Sequence, residues 1–300
     1  MKKPTKKPKL LPALVLTGSI LSSLAGAGGL EKKSVEQLKS KLIADGFEPD
    51  RIELIFSDPR INLDLGIRRI RRNARPVDYE KRGFTSERSI NDGFSYFLEH
   101  LEPIYNAWKE YKVKPGYIIA LMKMETDLGR VMGNRPVMTS LVTNWLIRDN
   151  STDEGKKREK EEYENIRDYL RLIGKMYKDD SEIFDPEGSY AGASGLPQVM
   201  PSSYMRFAVD HDNDGDIDLM SRDEPADSIG FIAKYLVEKG YNKHENEDNN
   251  EDEYENIYKS VKSYNPNDPN FADAIMKYAE MFEKRFVVYV MECLDSLYFL

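Results

Sequence analysis

The chain has 300 residues, of which 40% are hydrophobic and 11% aromatic, so it can bury a sizeable core in one large or two modest domains. Its formal net charge of -8 excludes a bulk electrostatic attraction for nucleic acid or anionic membranes, and we expect no nucleic-acid partner. A single cysteine, Cys293, excludes an intramolecular disulfide framework, and three scattered histidines give no support to a histidine-rich zinc site.

The first 27 residues have the pattern of an export signal. A basic leader, MKKPTKKPK, precedes the apolar run LLPALVLTGSILSSLAGAGG, in which Ala25 and Ala27 form a small-residue cleavage pattern. We therefore predict a signal peptide over residues 1–27 and an exported protein, periplasmic or associated with the cell envelope. The alternative is an uncleaved N-terminal anchor, because the run approaches the ~20 residues that span a bilayer.

Apolar residues in the next part of the chain recur at helical spacing. SVEQLKSKLIADGF begins at Ser34 with a capping-box pattern and reaches Gly46, and EPDRIELIFSD predicts a second, short helix. Farther on, apolar residues at intervals of three and four predict one long amphipathic helix. Its apolar residues are Ile90, Phe94, Phe97, Leu98, Leu101, Ile104, Tyr105 and Trp108.

The second half of the chain continues the helical pattern. A Lys/Glu-rich stretch from Lys156 to Met176 has one apolar face, which is typical of a surface helix. The acidic segment 243–256 predicts a surface loop, and a helix is expected over Phe271–Phe282. Residues 285–300 are apolar and fit a helix or a strand equally. Because strand alternation is scarce, the predicted fold class is mainly α.

Glu125 lies on the apolar side of a predicted helix of about three turns, PGYIIALMKMETDLGR, which begins at Pro115. The residues three and four positions away are apolar or lack a side chain: Leu121, Met122, Leu128 and Gly129. Apolar surroundings and the negative end of the helix dipole both disfavour a charged carboxylate, so we expect Glu125 to keep its proton near neutral pH. Such a group suits general acid catalysis. The alternative is a buried glutamate paired with Arg130 or Arg135.

The segment DHDNDGDIDL has the ligand spacing of an EF-hand calcium loop. Carboxylates on alternate residues converge on a hard cation when a glycine allows a sharp turn, and Gly215 stands at the required position. The usual glutamate at position 12 is replaced by Ser221, so a later acid must complete the site. The candidate ligands in residues 210–227 are the carboxylates of Asp210, Asp212 and Asp214, the backbone carbonyl of Asp216 and, to close the shell, Glu224 or Asp227. Calcium bound here would stabilise the fold or regulate the protein. The alternative to a calcium site is a solvated turn.

Four segments in this order resemble the membrane-bound lytic murein transglycosylase B family: METDLGRVMGNRPVMTSL, GSYAGASGLPQVMPSSYMRFAVDHDNDGDIDL, DEPADSIGFIAKYLVEKGY and SYNPND. The order and spacing agree from about Val35 to Tyr278. The resemblance implies a lysozyme-like transglycosylase domain over residues 34–290, with an EF-hand-type calcium loop. It also implies cleavage of the glycan strands of bacterial peptidoglycan.

The resemblance assigns catalysis to Glu125. This residue would protonate the MurNAc–GlcNAc β-1,4 bond and then take the proton of the C6 hydroxyl, which closes a 1,6-anhydro ring without water. The implied metal ligands are Asp210, Asp212, Asp214 and Asp227, with structural Ca²⁺ as the cofactor. The implied substrate-binding residues are Tyr190, Ser194, Gln198, Tyr204, Tyr264 and Asn265. From the residues alone, Gln198 fits a loop cap, Ser194 a tight packing corner, and the tyrosines core packing.

Two other functions fit the same sequence. One is a wall-binding or scaffold protein with little turnover, which Ser194, Pro197 and the lack of the family's arginine pair near NWLIRDNSTDEGKK would favour. The other is a muramidase that uses water. In each case the expected partner is the glycan strand of peptidoglycan, and the protein is expected to act as a monomer.

Overall fold

The fold is built mainly of α-helices, as the apolar spacing predicts. A computed structural model describes residues 28–61, 63–64, 66–67, 76–148, 151–176, 180–242 and 250–298. The chain divides into two compact units, Met1–Glu53 and Leu54–Leu300, and the predicted domain of residues 34–290 spans both. The predicted leader, residues 1–27, lies outside the described residues.

Helices occupy most of the described chain, and its strands are short. Strands β1 (Arg135–Pro136) and β2 (Glu187–Gly188) pair in antiparallel orientation, and a 3-10 helix covers Asp180–Phe184. The α-helices are α1 (Gly28–Ala44), α2 (Pro49–Ser57), α3 (Glu87–Glu99), α4 (Leu101–Tyr111), α5 (Pro115–Thr126), α6 (Val137–Leu146), α7 (Asp153–Met176), α8 (Pro201–Phe207), α9 (Ala226–Glu238), α10 (Asn250–Lys262) and α11 (Phe271–Tyr298).

The first two predicted helices are present, with a correction at the start of α1. Helix α1 begins at Gly28, so Ser34 lies inside the helix and not at its N-cap. The residues LEKK before Ser34 are good helix formers, and they extend the helix toward the N-terminus. Gly46, with φ +92°, follows the end of α1, and α2 matches the predicted short helix.

The predicted long helix from Ile90 to Trp108 is in fact two helices. Helix α3 ends at Glu99, α4 begins at Leu101, and His100 stands between them at φ -116° and ψ 38°. Pro103 explains the break, because proline has no N–H and its ring excludes the carbonyl group four residues earlier. Four members of the predicted apolar stripe are exposed: Leu98, Leu101, Tyr105 and Trp108.

The main core surrounds helix α5. Five successive side chains of this helix are fully buried: Ile118, Ile119, Ala120, Leu121 and Met122. Helix α5 packs against α3, α9 and α11, which add Phe94, Phe231 and Tyr278 to the same core. Gly93 permits this close packing, because a Cβ at that position would collide with Tyr278 Oη. A helix that is apolar nearly all round is therefore at the centre of the fold.

Helices α6 and α7 pack against each other beside this core. Helix α7 confirms the helix predicted from Lys156 to Met176. Its apolar face buries Ile166 and Leu170, and α6 contributes the fully buried Trp145.

The structure settles two uncertain segments near the C-terminus. Helix α11 runs through Tyr298, so the described part of the apolar segment 285–300 is helical, although several of its side chains are exposed. The predicted acidic loop 243–256 is wrong for residues 250–256, which begin helix α10, because glutamate is a good helix former. Residues 243–249 lie outside the described residues. In the part of the chain described here, no helix is long and apolar enough to cross a membrane.

Candidate active site

Glu125 is the penultimate residue of helix α5, which ends at Thr126 and not at the predicted stop, Gly129. The next three residues, Asp127, Leu128 and Gly129, have φ values of 52°, 59° and 82°. Aspartate tolerates the left-handed conformation, so the helix ends before the glycine is reached. This places the Glu125 carboxyl group in the last turn, where the partial negative charge of the helix dipole lies.

The carboxyl group of Glu125 has no hydrogen bond or ion pair with any described residue. The two arginines considered as partners are engaged elsewhere. Arg130 pairs with Asp92 at 3.4 Å, and Arg135 pairs with Asp64. The alternative of a salt-bridged glutamate is therefore wrong.

Burial raises the pKa of Glu125 to about 8. The side chain is crowded by protein atoms on most sides and keeps a partly exposed surface on the remaining one. A carboxyl group in this setting is neutral near pH 7 because desolvation disfavours its charged form. It is also open to an incoming ligand, so it can act as a proton donor.

Two tyrosines stand close to this carboxyl group. Burial raises the pKa of Tyr264 well above its usual value, and the charge of Glu125 raises it further. Tyr264 Oη donates a hydrogen bond to Pro197 O at 2.6 Å. Burial also raises the pKa of Tyr79, with further contributions from its 2.8 Å hydrogen bond to Asp268 Oδ2 and from Glu125. Both phenols are thus fixed by hydrogen bonds, within electrostatic range of Glu125.

The backbone of Leu196 links the end of α5 to the aspartate-rich loop. Thr126 Oγ1 donates to Leu196 O at 3.0 Å, and Leu196 N donates to Leu219 O at 2.9 Å. Gly195 makes this approach possible, since it has φ +77° and a Cβ there would collide with Leu219 O. The segment Ser194–Val199 is therefore held between the candidate acid and the candidate metal loop.

Gln198 and Tyr204 use their side chains to organise the nearby loops. Gln198 Nε2 donates to Met132 O and to Gly195 O, each at 3.0 Å, which is the loop-capping role left open by the sequence. Its Oε1 has no partner among the described residues. Tyr204 Oη donates to Ile217 O at 2.8 Å, and burial raises the pKa of Tyr204 to about 12. The Tyr204 hydroxyl proton is therefore used in a hydrogen bond to the aspartate-rich loop.

Tyr190 lies in a different concave region from Glu125. Its side chain is 40% exposed and lines a cavity of about 600 Å³ together with Met200 and Asn267. Glu125 is not part of that lining. Asn144 Nδ2 donates to Tyr190 O at 3.0 Å, which fixes the backbone beside the ring.

Ser194 and Asn265 are both partly exposed. Ser194 stands at a tight corner, where its N–H donates to Val199 O at 3.1 Å. Asn265 directly follows Tyr264, whose pKa is raised by burial and by the charge of Glu125. Its side-chain amide has no hydrogen bond within the described chain.

Three of the predicted metal ligands come together. One carboxylate oxygen from each of Asp210, Asp212 and Asp214 lies within 4.8 Å of the others. Asp210 shapes the turn by accepting hydrogen bonds from Asp214 N at 3.2 Å and from Gly215 N at 3.1 Å. Asp216 is exposed and lies outside this group, and the charge of Asp214 raises its pKa. Three hard oxygen donors in one turn fit a calcium ion.

Asp227 does not join the three converging carboxylates. It is 4% exposed, in the first turn of α9, and accepts hydrogen bonds from His211 N at 2.6 Å and from Asp218 N at 2.8 Å. Burial raises the pKa of Asp227. In this structure Asp227 ties both ends of the aspartate-rich loop to α9.

The sequence did not point to Tyr79 or Thr126 as site residues. Tyr79 lies in an irregular segment, and no periodic pattern marks it. Thr126 follows Glu125 directly, and this position was the only signal in the sequence. The structure leaves Thr126 1% exposed, and a fully buried hydroxyl at a helix end must find a hydrogen-bond partner.

The arrangement of helices places the chain among proteins with the fold of lytic transglycosylases. The structure of lytic transglycosylase Slt35 from Escherichia coli in complex with calcium matches with a TM-score of 0.66 and 20% identity, over 85% of this chain and 94% of that chain. SltB3 from Pseudomonas aeruginosa in complex with NAG-anhNAM-pentapeptide matches with a TM-score of 0.65 and 18% identity, over 84% and 79% of the two chains. At these identities the similarity establishes a shared lysozyme-like fold.

Sequence comparison identifies the family. The family described as "Transglycosylase SLT domain" matches residues 30–269, and the chain belongs to this family. Membrane-bound lytic murein transglycosylase B of Escherichia coli (strain K12) is 31% identical over 165 residues, which is 55% of this chain and 42% of that protein. The matched region thus spans less than half the length of that relative. The resemblance predicted from the four sequence segments is confirmed.

Proposed function

We propose that this protein is a lytic transglycosylase that cleaves the MurNAc–GlcNAc β-1,4 bond of peptidoglycan and leaves a 1,6-anhydro-MurNAc end. The observation that carries the proposal is Glu125, a carboxyl group without a partner, with its pKa raised to about 8, at the end of a buried helix. Family membership and a similar fold crystallised with NAG-anhNAM-pentapeptide support the same chemistry.

The proposed reaction uses one carboxyl group twice, first as the acid and then as the base. Neutral Glu125 donates its proton to the glycosidic oxygen while the bond from that oxygen to C1 of MurNAc breaks. The carboxylate then takes the proton of the C6 hydroxyl, and O6 bonds to C1. The enzyme returns to its starting state without consuming water. A single carboxyl group suffices, whereas most glycosidases need two.

The remaining residues would bind the sugars. Gln198 offers its free Oε1 to an acetamido N–H, and Asn265 offers an amide without a partner. Tyr190 offers an exposed ring, and Ser194 stands at a tight corner. Tyr204 would contribute indirectly, through its hydrogen bond to the aspartate-rich loop. Tyr79, which the sequence did not indicate, adds a phenol within electrostatic range of Glu125.

Product analysis separates the three functions that fit the sequence. The purified mature chain is incubated with peptidoglycan, and the soluble products are identified by mass. Anhydro-muropeptides are expected. Reducing ends would mean a muramidase that uses water, and no release would mean a wall-binding protein.

Thr126→Val should weaken both folding and turnover. The substitution removes the hydroxyl that connects α5 to Leu196, so we expect a loss of about 1–3 kcal/mol in the free energy of unfolding. Displacement of Glu125 should lower kcat roughly tenfold or more, with little change in KM. Thr139→Val is the matched control, because its hydroxyl donates to Arg60 O away from the site. Equal kcat in the two variants would contradict the positioning role of Thr126.

We further propose that the aspartate-rich loop binds a structural Ca²⁺ ion through Asp210, Asp212 and Asp214, while Asp227 holds the loop against α9. The three converging carboxylates support this, as does the calcium complex of a protein with a similar fold. When bound, the ion would neutralise the mutual repulsion of these acids and stiffen the loop.

Calcium should therefore raise the melting temperature of the protein. At a Ca²⁺ concentration 100 times its Kd, binding to the folded state adds about 2.7 kcal/mol of stability. The melting temperature is measured with EGTA, Ca²⁺ or Mg²⁺, and Ca²⁺ should give the largest increase, because Mg²⁺ demands stricter geometry. Asp212→Asn should remove the effect, whereas Asp223→Asn, an exposed acid outside the cluster, should keep it. A Ca²⁺ effect that survives Asp212→Asn would contradict this site.

We infer that the protein acts in the cell envelope, where its substrate is located. The relatives' names and the predicted leader support this location. The partner would be the glycan strand, and the protein would work as a monomer.

A further inference from the structure

A concave surface lies between the segment that precedes α3, the start of α3 and the end of α5. It is a cavity of about 650 Å³, within the range of ~300–1,000 Å³ that is typical of ligand sites. Glu125 does not line it. We call it the arginine pocket after its charged lining: Arg82, Arg88, Asp92, Lys123, Asp127 and Arg130.

Four of these charged groups neutralise one another. Lys123 Nζ lies 3.2 Å from Asp92 Oδ2 and 2.6 Å from Asp127 Oδ1. Arg130 Nη1 lies 3.4 Å and 3.2 Å from the same two oxygens. Two bases and two acids thus form a closed network that adds no net charge to the pocket.

The other two bases of the lining are not compensated. The guanidinium groups of Arg82 and Arg88 have no ion pair or hydrogen bond within the described residues. The charge of Arg88 reaches Asp92 only at a longer range than an ion pair, and Asp92 already has two partners. The arginine pocket therefore presents two spare positive charges in a chain whose formal net charge is -8.

Ordered backbone carries both spare arginines. Arg82 lies in a turn in which its N–H donates to Asp78 O at 3.2 Å. The turn is anchored by Phe84, which is 9% exposed and whose ring centroid lies 4.9 Å from that of Tyr278. Arg88 lies in the first turn of α3. The two guanidinium groups are thus held at one cavity by a fixed turn and a helix, which lowers the cost of ordering them around a ligand.

The N-terminal end of α3 adds a partial positive charge to the arginine pocket. Ser86, the N-cap of α3, and Ser89 both line the cavity. The first N–H groups of a helix lack intrahelical partners and stabilise nearby anions. Ser86 Oγ accepts a hydrogen bond from Ser89 N at 3.3 Å, whereas the N–H groups of Glu87 and Arg88 have no acceptor among the described residues. The Glu87 side chain is exposed and does not line the cavity.

These positive groups match a phosphoryl group better than a carboxylate. One guanidinium group already satisfies both oxygens of a carboxylate through two parallel hydrogen bonds. A phosphoryl group has further oxygens, which can accept hydrogen bonds from a second guanidinium group and from backbone N–H groups at a helix N-terminus. It also carries more negative charge to offset two spare bases.

We propose that the arginine pocket is a binding site for a phosphoryl group, with Arg82 and Arg88 as its main ligands and the first turn of α3 as a third source of donors. The group would be inorganic phosphate or the phosphate ester of a lipid head group. The proposal does not depend on the proposed function, because neither arginine is assigned to the chemistry of the sugar. Such a site gives an acidic chain a local contact for an anion that its overall charge disfavours.

The test measures binding to the full chain in calcium-free buffer at constant ionic strength. Calorimetry should give inorganic phosphate a Kd of about 1 mM or lower and acetate a Kd roughly tenfold higher. Arg82→Ala with Arg88→Ala should raise the Kd of phosphate roughly tenfold or more. Lys33→Ala with Lys109→Ala removes the same charge from exposed positions outside the lining and should leave that Kd unchanged.

A loss of phosphate affinity confined to the arginine variants supports the proposal. The absence of phosphate binding, equal Kd values for phosphate and acetate, or equal losses in the two double variants would overturn it. Circular dichroism confirms folding, and Arg82→Gln with Arg88→Gln provides a second pair of variants with longer side chains.

Vesicles distinguish the two sources of the phosphoryl group. Sedimentation with vesicles that contain phosphatidylglycerol, if the arginine variants lose it, assigns the site to a lipid head group. Phosphate binding without such sedimentation assigns the site to free phosphate. Sedimentation that the arginine variants retain would exclude the lipid head group as the ligand of this pocket.

Discussion

Glu125→Gln is expected to abolish the release of anhydro-muropeptides while the protein stays folded. Glutamine keeps the size of the side chain and cannot donate a proton to the glycosidic oxygen. Positioned general acid catalysis contributes roughly 10² to 10⁴-fold in rate, so the loss should be at least of that order. Folding should persist because the carboxyl group has no hydrogen bond or ion pair to lose among the described residues. Release is measured by mass analysis of soluble products, together with thermal unfolding.

Glu283→Gln is the matched control for this experiment. Glu283 is also a carboxyl group whose pKa is raised by burial, but its Oε1 accepts a hydrogen bond from Gly116 N at 3.2 Å, at the opposite end of α5. The control should keep its activity. Undiminished release by Glu125→Gln, or equal losses in both variants, would exclude Glu125 as the acid.

The second large effect is a loss of activity at alkaline pH. Because burial raises the pKa of Glu125 to about 8, the proton-donating form dominates below that pH and is lost above it. The value of kcat/KM should therefore fall about tenfold per pH unit above the pKa, since this parameter reports the free enzyme. It is measured on soluble glycan fragments between about pH 5 and pH 10, with circular dichroism at each pH. A decline that begins near pH 4.5 would show that Glu125 titrates like a glutamate in water.

The same pKa shift predicts a pH-dependent difference in stability between the protein and Glu125→Gln. Below the unfolded-state pKa of 4.5, both folded and unfolded states are protonated, so the two proteins should be similarly stable. Between that value and about 8 the unfolded state releases a proton that the folded state keeps, so the unsubstituted protein loses relative stability. This relative loss of stability is at most about 5 kcal/mol, because a difference of one pKa unit corresponds to about 1.36 kcal/mol. The loss is smaller where water reaches the carboxylate. Urea unfolding at several pH values measures the difference.

The apolar setting of Glu125 could be predicted because helix periodicity is a local property of the sequence. Its apolar neighbours on α5, and the start of the helix at Pro115, follow from residues a few positions apart. Its lack of a partner could not be predicted in the same way. Arg130 and Arg135 were plausible partners on sequence spacing. In the structure they pair instead with Asp92 and Asp64, which only the tertiary fold brings near them.

Residues that enter the site through long-range contacts were missed for the same reason. Tyr79 is fixed by Asp268, 189 positions away in the sequence, and no local pattern records that contact.

The break between α3 and α4 is a different case. Pro103 was a local signal, but the regular apolar stripe on both sides concealed it.

The backbone of Leu196, hydrogen-bonded to α5 through its carbonyl and to Leu219 through its N–H, has a consequence for protein engineering. Replacing the aspartate-rich segment with a shorter turn would also shift Leu196, which accepts the hydrogen bond of Thr126 at the end of α5, next to Glu125. Such chimaeras should therefore be screened for turnover as well as for expression, because a well-folded graft can still misplace its acid by a fraction of an ångström.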